Sequence, residues 1–300
     1  MRISVLVVGE HDPFEHKRRY FPDAWLAQTL PLSEFELLIV DYSQESGAAG
    51  CFADVRRRHP GFNAQVLRGK GSARSKGTNL AARASTGEIL LIFADDFEPL
   101  PGTLRAHAVF HAANADVNAV GIGAGLFSTE IRQDPFPRWL EDSGGIFGVP
   151  LRQSVAVWPE TFFYAGNASL KRDKYFALNG FNEQFLMDAL DDLEFGLRLI
   201  ESGGYTRFLA NASALHRHAV SFEERKYVQF HSARVSRVFE RIRPDWVGRW
   251  PALQRAEIGA DASPVAAALR SETDTIAAWQ REMDAAFAAG YRGDALDHFR

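Results

Sequence analysis

The chain has very little cysteine, no long hydrophobic run and no excess of positive charge. Cys51 is the sole cysteine among 300 residues, so a disulfide within the chain and a structural zinc site built on cysteines are both excluded. A reducing compartment is the simplest setting for such a sequence. The formal net charge of −4 also differs from the basic balance that most nucleic-acid-binding proteins have.

The apolar stretches are all shorter than the ~20 residues that a membrane helix needs. The run from Ile3 to Val8 is followed at once by Glu10, His11 and Asp12, so we interpret it as a buried strand rather than as a signal sequence. We therefore expect a cytoplasmic protein, with peripheral contact at the inner membrane face as an open alternative.

Short apolar runs alternate with helical patterns in the first half of the chain. Buried strands are predicted over residues 3–8, 36–40, 64–67, 89–94 and 120–124, and helices over residues 23–30, 71–84 and 102–113. This alternation predicts an α/β fold with a mainly parallel sheet flanked by helices. Ligands bind at the carboxyl ends of the strands in such sheets, so polar residues directly after the strands are candidate site residues.

The second half of the sequence has a different character. Residues 134–165 are rich in Pro, Gly and Trp and are expected to form loops and short strands, followed by helices over residues 171–178 and 191–201 and a strand over residues 207–210. From about Ser221 the pattern is helical almost to the end. The sequence therefore predicts a catalytic domain over residues 1–220 and a helical C-terminal region over residues 221–300.

Two of the predicted strands end in acidic residues. Asp41 ends the second strand and can accept hydrogen bonds from a nucleobase or ribose, although turn and helix-capping aspartates are also common there. Asp95 and Asp96 follow the fourth strand, where two adjacent carboxylates repel each other unless a cation or donor lies between them. A divalent ion that also binds substrate phosphates would relieve this repulsion.

A glycine-rich, basic segment over residues 69–77 opens the next predicted helix and contains Arg74. Helix N-termini and arginine both suit phosphate groups, but the spacing does not match a Walker loop. Gly121, Gly123 and Gly125 superficially resemble a dinucleotide-binding motif. We reject that interpretation because Leu126 stands where the third glycine is needed.

Acids and histidines recur towards the end of the predicted catalytic domain. Asp191 and Glu194 have the spacing of a helix capping box, which does not account for Asp192, and a carboxylate at that position could serve as a general base. His216 and His218 point the same way if their segment is extended, and one of them could bind a metal.

The order of these motifs along the chain is more informative than any one of them. After the acid-ended strands and the helix start at Arg74 come Gly166-Asn167-Ala168-Ser169, then Gly180-Phe181-Asn182-Glu183, then the acids of residues 191–194 and the late histidine. From Ser4 to about His218, this order resembles family 2 glycosyltransferases, which use nucleotide-sugar donors and have the GT-A fold. The chain departs from the family pattern at Gly9, Tyr42 and Ala94, and the last departure leaves Asp96 as the best metal ligand.

The resemblance implies a role for each candidate residue. The donor-binding residues would be Gly9, Asp41, Arg74 and Asp95; the metal ligands Asp96 and His216; the acceptor-side residues Gly166 and Asn167; and the catalytic residues Asp192 and Asp191. It further implies Mn²⁺ or Mg²⁺ as the cofactor, a nucleotide-diphosphate sugar such as a UDP-sugar as the donor, and a glycan or lipid-linked acceptor. Asp192 would take the proton of the acceptor hydroxyl in a direct displacement with inversion.

Two other classes of protein remain open on the sequence. A nucleotidyltransferase shares an α/β nucleotide-binding fold and a divalent metal, but its glycine-rich, lysine-bearing loop is missing after Val8. A non-catalytic sugar-nucleotide-binding protein would explain Ala94 as the mark of a decayed site. The retained acids Asp96, Asp191 and Asp192 argue against decay.

The predicted C-terminal region carries a basic amphipathic pattern. Between Ser221 and Trp250, seven Lys or Arg residues oppose four acids on a chain that is acidic overall. Such a helix can rest on an anionic membrane surface or hold an anionic acceptor, although packing of its apolar stripe on the domain is the more common arrangement. We expect this region to cover the acceptor side of the site, with membrane contact as an option.

Overall fold

The computed structural model describes residues 2–9, 22–42, 47–70, 73–143, 145–147, 163–186, 189–246 and 274–292. The chain divides into two compact units, Met1–Ala219 and Val220–Arg300. Within the described residues, the first unit is built on one eight-stranded sheet flanked by helices, and the second contains two long helices.

The strands of the first unit are β1 (Ile3–Val8), β2 (Phe35–Asp41), β3 (Ala64–Arg68), β4 (Ile89–Ala94), β5 (Phe97–Pro99), β6 (Ala119–Phe127), β7 (Asn167–Lys171) and β8 (Tyr205–His216). Their order in the sheet is β3-β2-β1-β4-β7-β6-β8-β5. β1 pairs in parallel with β2 and β4, β2 with β3, and β6 with β8. β7 is antiparallel to β4 and β6, and β5 is antiparallel to β8, so the predicted α/β fold is confirmed and its sheet is mixed.

The helices are α1 (Pro22–Leu26), α2 (Gly47–Arg58), α3 (Arg74–Ala84), α4 (Thr103–Ala113), α5 (Pro135–Asp142), α6 (Arg172–Ala177), α7 (Asp191–Glu201), α8 (Phe222–Ile242) and α9 (Asp274–Arg292). Every residue of β1 and β2 is buried, as are all residues of β4 except Ala94. Strands that are covered on both faces have continuous apolar sequences, which is why these strands were predictable.

The expectation of loops and short strands over residues 134–165 is wrong for α5. Asp134 is the N-cap of this helix and its Oδ1 accepts a hydrogen bond from the N–H of Phe136 at 2.9 Å, with Pro135 at the first helical position. Proline is well tolerated there because that N–H has no partner within the helix. Residues 148–162 lie outside the described part of the chain.

The glycines of β6 make room for polar side chains of β7. A Cβ atom on Gly123 would lie 2.2 Å from Nδ2 of Asn167, so a larger residue there would displace the Asn167 amide. That amide is fully buried, and its Nδ2 donates to the carbonyl oxygen of Ala212 at 2.8 Å. The glycine-rich strand therefore serves packing within the sheet, in agreement with our rejection of a dinucleotide-binding motif.

A buried chain of hydrogen bonds extends from Asn167 to helix α4. Oδ1 of Asn167 lies 2.9 Å from Nε2 of His107, Nδ1 of His107 lies 2.7 Å from Oγ of Ser169, and that Oγ lies 2.9 Å from Nε2 of His111. Because Asn167 Oδ1 can only accept, Nε2 of His107 carries a proton and its Nδ1 accepts from the Ser169 hydroxyl. In this arrangement the Ser169 Oγ accepts from Nε2 of His111.

The environment disfavours the charged form of both histidines. Burial lowers the pKa of His107 to about 4, against the opposing effect of its hydrogen bond with Asn167. Burial, together with the proximity of His107, lowers the pKa of His111 to about 3.

The second unit begins with a capping box and contains two helices that run in the same direction. Oγ of Ser221 accepts from the N–H of Glu224 at 3.2 Å, and the Glu224 carboxylate accepts from the N–H of Ser221 at 2.6 Å. Near the start of α8, Lys226 contacts Glu282 of α9 at 3.1 Å, and near its end Glu240 accepts from the Tyr291 hydroxyl at 2.6 Å. These contacts follow the same order along both helices.

The amphipathic pattern predicted for α8 is present. Phe230 and Phe239 are buried, whereas Arg234, Arg237 and Arg241 are exposed. Among the described residues, no helix is both long enough and apolar enough to cross a membrane. Trp250 and Arg249, which belong to the same sequence pattern, lie outside the described residues.

We predict that the protein loses stability as the pH falls from about 6.5 towards 4. The unfolded chain binds protons on His107 and His111 in this range, and the folded chain does not. His107 alone should contribute on the order of 3 kcal/mol of destabilisation at pH 4. Urea unfolding near pH 7 and near pH 5 should show a smaller pH dependence in His107→Gln than in the wild-type protein.

The control for this experiment is His59→Gln, because His59 is exposed. It should keep the wild-type pH dependence. An equal pH dependence in wild type and His107→Gln would contradict the assignment of a neutral, buried His107.

Candidate active site

The carboxyl ends of β1, β2 and β4 meet at one edge of the sheet. The parallel register aligns the last residues of these three strands, so Gly9, Asp41 and Asp95 occupy neighbouring positions at that edge. The N–H of Gly9 donates to the carbonyl oxygen of Val40 at 2.8 Å, which continues the pairing one residue beyond β1. The three residues predicted here as donor-binding are thus brought together.

The two carboxylates at this edge, those of Asp41 and Asp95, are buried. Asp41 is 1% exposed, with Nη1 of Arg68 3.9 Å from its Oδ2, and Asp95 is 8% exposed. Tyr42 occupies the position at which the sequence departs from the acidic family pattern. Its hydroxyl donates to the carbonyl oxygen of Ala73 at 2.9 Å, so the side chain joins the end of β2 to the residue that precedes α3.

Asp96, His216 and His218 form a cluster of potential metal ligands. One ligand atom from each lies within 4.8 Å of the others. Nε2 of His216 is 2.8 Å from Oδ2 of Asp96, and the two imidazole rings stack with their centroids 5.6 Å apart. The antiparallel pairing of Phe97 with His216 brings the cluster together, because β8 extends well beyond the predicted residues 207–210.

The other ring nitrogen of His216, Nδ1, makes a hydrogen bond that fixes the position of the proton in the neutral ring. Nδ1 of His216 lies 2.8 Å from the carbonyl oxygen of His218, and a carbonyl can only accept, so Nδ1 carries a proton. In the neutral ring, Nε2 then directs a lone pair at a carboxylate oxygen. Two acceptors at this distance need a proton or a cation between them, and imidazole and carboxylate are both ligands of divalent metals.

Aromatic rings enclose the histidine side of the cluster. Phe97, Phe127 and Phe147 surround His216 with centroid distances between 5.2 and 5.4 Å. The Asp96 side chain is 32% exposed, whereas that of His216 is 8% exposed. Burial alone would raise the pKa of the Asp96 carboxyl, but the charge and hydrogen bond of His216 outweigh it and lower that pKa. An ionised carboxylate therefore lies on the accessible side of the cluster.

Arg74 and Asp191 form a bidentate ion pair between the first residues of α3 and α7. Nε of Arg74 donates to Oδ2 of Asp191 at 3.2 Å, and Nη2 donates to Oδ1. Asp191 is 1% exposed, and the same Nη2 lies 4.0 Å from Oδ2 of Asp192. The arginine predicted to bind the donor is thus paired with one of the two predicted catalytic acids and lies near the other.

Asp192 is the more accessible of these two acids. Its side chain is 22% exposed, compared with 1% for Asp191. Burial raises the pKa of Asp192, Arg74 opposes this, and the neighbouring charge of Asp191 adds to the increase. The N–H groups of Leu193 and Ala165 also bind this carboxylate. A carboxyl group with a raised pKa is suited to accept a proton during a reaction.

The alternative that Asp191 and Glu194 form a capping box is wrong. The N-cap residue is Leu190, in a left-handed conformation with φ 61°, and Asp191 is already helical. The Glu194 carboxylate pairs with Arg198 at 2.7 Å instead of reaching back to the helix start. Asp191 therefore contributes through Arg74 rather than through the backbone of its own helix.

Of the two predicted acceptor-side residues, Gly166 lies beside the residue that binds Asp192, whereas Asn167 lies in the protein core. The carbonyl oxygen of Gly166 accepts from the N–H of Ala94 at 3.0 Å, while the preceding Ala165 binds Asp192. This segment therefore joins the strand end that carries the acid pair to the start of α7. The side chain of Asn167 is instead fully buried in the chain of hydrogen bonds with His107.

Two residues at this site were not predicted from the sequence. Ser75 and Asn79 are buried polar residues of α3, and both bind the segment that leads to α7. Their polar side chains interrupt the buried face of the helix, which was the one available signal. Their partners lie more than 100 residues away in sequence, so the signal does not identify what they bind.

Comparison with known proteins identifies the fold. No protein-family model matches the chain, and no curated protein matches it by sequence. Among solved structures, the chain is similar to the mannosyltransferase PcManGT from Pyrobaculum calidifontis in complex with GDP-Man and Mn²⁺. That match has a TM-score of 0.60 at 19% identity and covers 99% of this chain and 88% of the other.

S. aureus TarS, residues 1–349, is a second similar structure. Its complex with UDP matches with a TM-score of 0.55 at 14% identity, over 98% of this chain and 91% of that one. Its complex with UDP-GlcNAc matches with a TM-score of 0.53 at 14% identity, over 97% and 90%. The fold is therefore a glycosyltransferase-like α/β fold.

The geometry predicts that Mn²⁺ binds at the cluster of Asp96, His216 and His218. Asp96→Asn keeps the size of the side chain but removes its charge, and it should weaken Mn²⁺ binding by at least ~10–100-fold. Electron paramagnetic resonance of free Mn²⁺ during a titration measures this directly. Glu98→Gln is the matched control, because Glu98 lies nearby on β5 but pairs with Arg217 at 3.1 Å.

The control variant should bind Mn²⁺ as the wild-type protein does. Equal Mn²⁺ affinity in wild type and Asp96→Asn would show that this cluster is not the metal site.

Proposed function

We propose that the chain is a family 2-type glycosyltransferase that moves a sugar from a nucleotide-diphosphate donor to an acceptor hydroxyl with inversion, using a divalent metal ion. One observation carries the proposal. Asp192, an accessible carboxyl group with a raised pKa, is joined through Ala165 and Gly166 to the strand end that bears Asp95 and Asp96. A base and a cation-binding carboxylate joined by one stretch of backbone are what this reaction requires.

The donor binds at the carboxyl edge of the parallel strands. Gly9, Asp41 and Asp95, which lie side by side at this edge, are assigned to the nucleoside and the sugar. Arg74, whose side chain is 21% exposed, contacts the donor while it holds Asp191. Similar structures bound to GDP-Man, UDP and UDP-GlcNAc support a nucleotide-sugar donor, and we propose a UDP-sugar.

Asp96 and His216 would hold Mn²⁺ or Mg²⁺. A bound ion supplies positive charge that stabilises the leaving diphosphate. The 2.8 Å approach of Nε2 of His216 to the Asp96 carboxylate supports this assignment, and so does the Mn²⁺ in the complex of PcManGT. The second histidine, His218, orients the first through its carbonyl oxygen.

Asp192 is the base of the transfer step. The oxygen of the acceptor hydroxyl forms a bond to the anomeric carbon, and its proton passes to the Asp192 carboxylate. The bond between the anomeric carbon and the diphosphate oxygen breaks, so the nucleoside diphosphate leaves. Direct displacement needs one base, and the pairing of Asp191 with Arg74 leaves Asp192 to fill that role.

We predict that Asp192→Asn lowers donor turnover by ~10²–10⁴-fold, because general bases typically contribute that much. The substitution keeps the size of the side chain and removes the proton acceptor, so donor binding should remain close to wild type. Release of nucleoside diphosphate from a panel of nucleotide sugars with Mn²⁺, with water as the acceptor, measures turnover. The matched control is Asp173→Asn, an exposed acid in the first turn of α6.

The released product also separates the alternative functions. Nucleoside diphosphate indicates glycosyl transfer, pyrophosphate indicates nucleotidyl transfer, and binding without product indicates a sugar-nucleotide-binding protein. If Asp191→Asn is inactive and Asp192→Asn retains full turnover, the roles of the two acids are exchanged.

We also propose that the second unit binds an anionic acceptor, such as a lipid diphosphate or a phosphorylated glycan. Arg234, Arg237 and Arg241 are exposed at a spacing that aligns them on one face of α8. The guanidinium of Arg237 lies 5.8 Å above the ring of Tyr291 on α9, which holds it on that face. Three aligned arginines favour a phosphorylated acceptor at this face, with peripheral contact at an anionic membrane as the setting.

Reversing these three charges together, as Arg234→Glu, Arg237→Glu and Arg241→Glu, should weaken binding to anionic lipid vesicles by at least ~100-fold at low salt, since each basic residue contributes about 1 kcal/mol. Donor hydrolysis should be unchanged. Vesicle sedimentation measures the binding, and reversal of the exposed Arg56, Arg57 and Arg58 of α2 is the control with equal charge. Unchanged acceptor kinetics in the triple variant, together with no vesicle binding by the wild-type protein at low salt, would leave α8 with a packing role alone.

A further inference from the structure

Helix α3 holds the segment that precedes α7 through two buried side chains. Nδ2 of Asn79 donates to the carbonyl oxygen of Phe181 at 2.9 Å, and its Oδ1 accepts from the N–H of the same residue at 2.9 Å. Oγ of Ser75 donates to the carbonyl oxygen of Phe185 at 2.9 Å. The backbone of this segment is thus bound to α3 at two points before it reaches α7.

The turn at Gly180 lies close to the Asn79 side chain and leaves room for it. Gly180 has φ +65°, and a Cβ atom there would lie 2.3 Å from Oδ1 of Asn79, so both the backbone and the space favour glycine. The Tyr175 hydroxyl also donates to this Oδ1 at 2.6 Å. Asn79 is 6% exposed, and these bonds tie the backbone at Phe181 to α3.

Arg74 forms the third attachment, and it is the one that bears charge. It pairs with both oxygens of Asp191, which is 1% exposed, and its Nη2 lies 4.0 Å from the carboxylate of Asp192. Removing one partner of a buried ion pair leaves an uncompensated charge, which is strongly destabilising. The Arg74 guanidinium thus neutralises the buried Asp191, and it is also close enough to Asp192 to interact with its charge.

We infer that Arg74 is a positioning residue for the base: its bidentate pairing with Asp191 holds the first turn of α7, and its Nη2, 4.0 Å from Oδ2 of Asp192, places its charge beside that carboxylate. The inference rests on the proposed role of Asp192 as the base. It gives Arg74 a function that does not depend on contact with the donor.

Among the described residues, the groups that act on Asp192 come from three elements. Arg74 of α3 favours the ionised form, and Asp191 of α7 disfavours it. The N–H groups of Leu193 and Ala165 bind the carboxylate and favour ionisation. Glu194, the next acid of α7, is paired with Arg198. Arg74 and Asp191 therefore act on Asp192 in opposite directions.

Because Arg74 and Asp191 act on Asp192 in opposite directions, substituting them should shift the pH dependence of the reaction in opposite directions. A purely structural role would not produce this result. The dependence of kcat on pH is measured for nucleoside diphosphate release from UDP-sugars with Mn²⁺. Arg74→Gln should move the midpoint of the acidic limb up by about one pH unit, and Asp191→Asn should move it down by a similar amount. In the double variant the two shifts should largely cancel.

Two further variants serve as controls. Arg74→Lys keeps the charge but loses the bidentate geometry. The midpoint of its acidic limb should therefore lie close to the wild-type value, while kcat stays low. Arg83→Gln removes another arginine of α3, which lies 3.9 Å from Glu183 and has a 59% exposed side chain, and it should leave both the midpoint and kcat unchanged.

The inference is overturned if Arg74→Gln and Asp191→Asn leave the midpoint unmoved or move it in the same direction. If Arg74→Gln does not fold, as judged by circular dichroism, the downward shift expected for Asp191→Asn and the recovery expected for Arg74→Lys still decide the question. Full turnover in Asp192→Asn would overturn the proposed base itself. Loss of turnover in Asp192→Asn together with unmoved midpoints would overturn only the role of Arg74.

Discussion

The ion pair between Arg74 and Asp191 connects the two helices whose first turns border the candidate active site. Asp191 lies at the start of α7 with almost no access to water, and a buried carboxylate needs a cation or several donors to remain ionised. Leu190 provides no side-chain cap, so the first turn of α7 has Arg74 as its charged partner. The accessible Asp192 follows directly, and its environment depends on this pair.

The same requirement for charge balance governs the second cluster. Oδ2 of Asp96 and Nε2 of His216 lie 2.8 Å apart, and Nδ1 of His216 lies 2.8 Å from the His218 carbonyl oxygen, which can only accept a hydrogen bond. A proton between the two atoms satisfies this arrangement, and in the proposed metal-bound state a divalent cation would do so. The segment of Ala165 and Gly166 joins the two clusters through the backbone, so the acids lie on one connected framework.

Strands that are buried along their whole length can be predicted from the local sequence pattern. β1 and β2 are buried throughout, so their sequences are continuous apolar runs and their bounds are readable. The strand β7 gave no such signal, since it carries Asn167 and Ser169, whose polar groups are satisfied by His107 and His111 about 60 residues away. The prolines of α5 favour a loop in a local pattern, although Asp134 before Pro135 is a recognisable helix start.

The sequence by itself determined the alternation of strands and helices, and therefore that Asp41 and Asp95 leave the sheet at a common edge, because parallel strands end together. It also determined that acids stand at the start of α7. Only the tertiary structure decided that Arg74 pairs with Asp191, that His216 faces Asp96 and that Asn167 is buried in the core. The physical reason is that each of these contacts joins residues from distant parts of the chain, and local sequence patterns record burial and periodicity but not the identity of a remote partner.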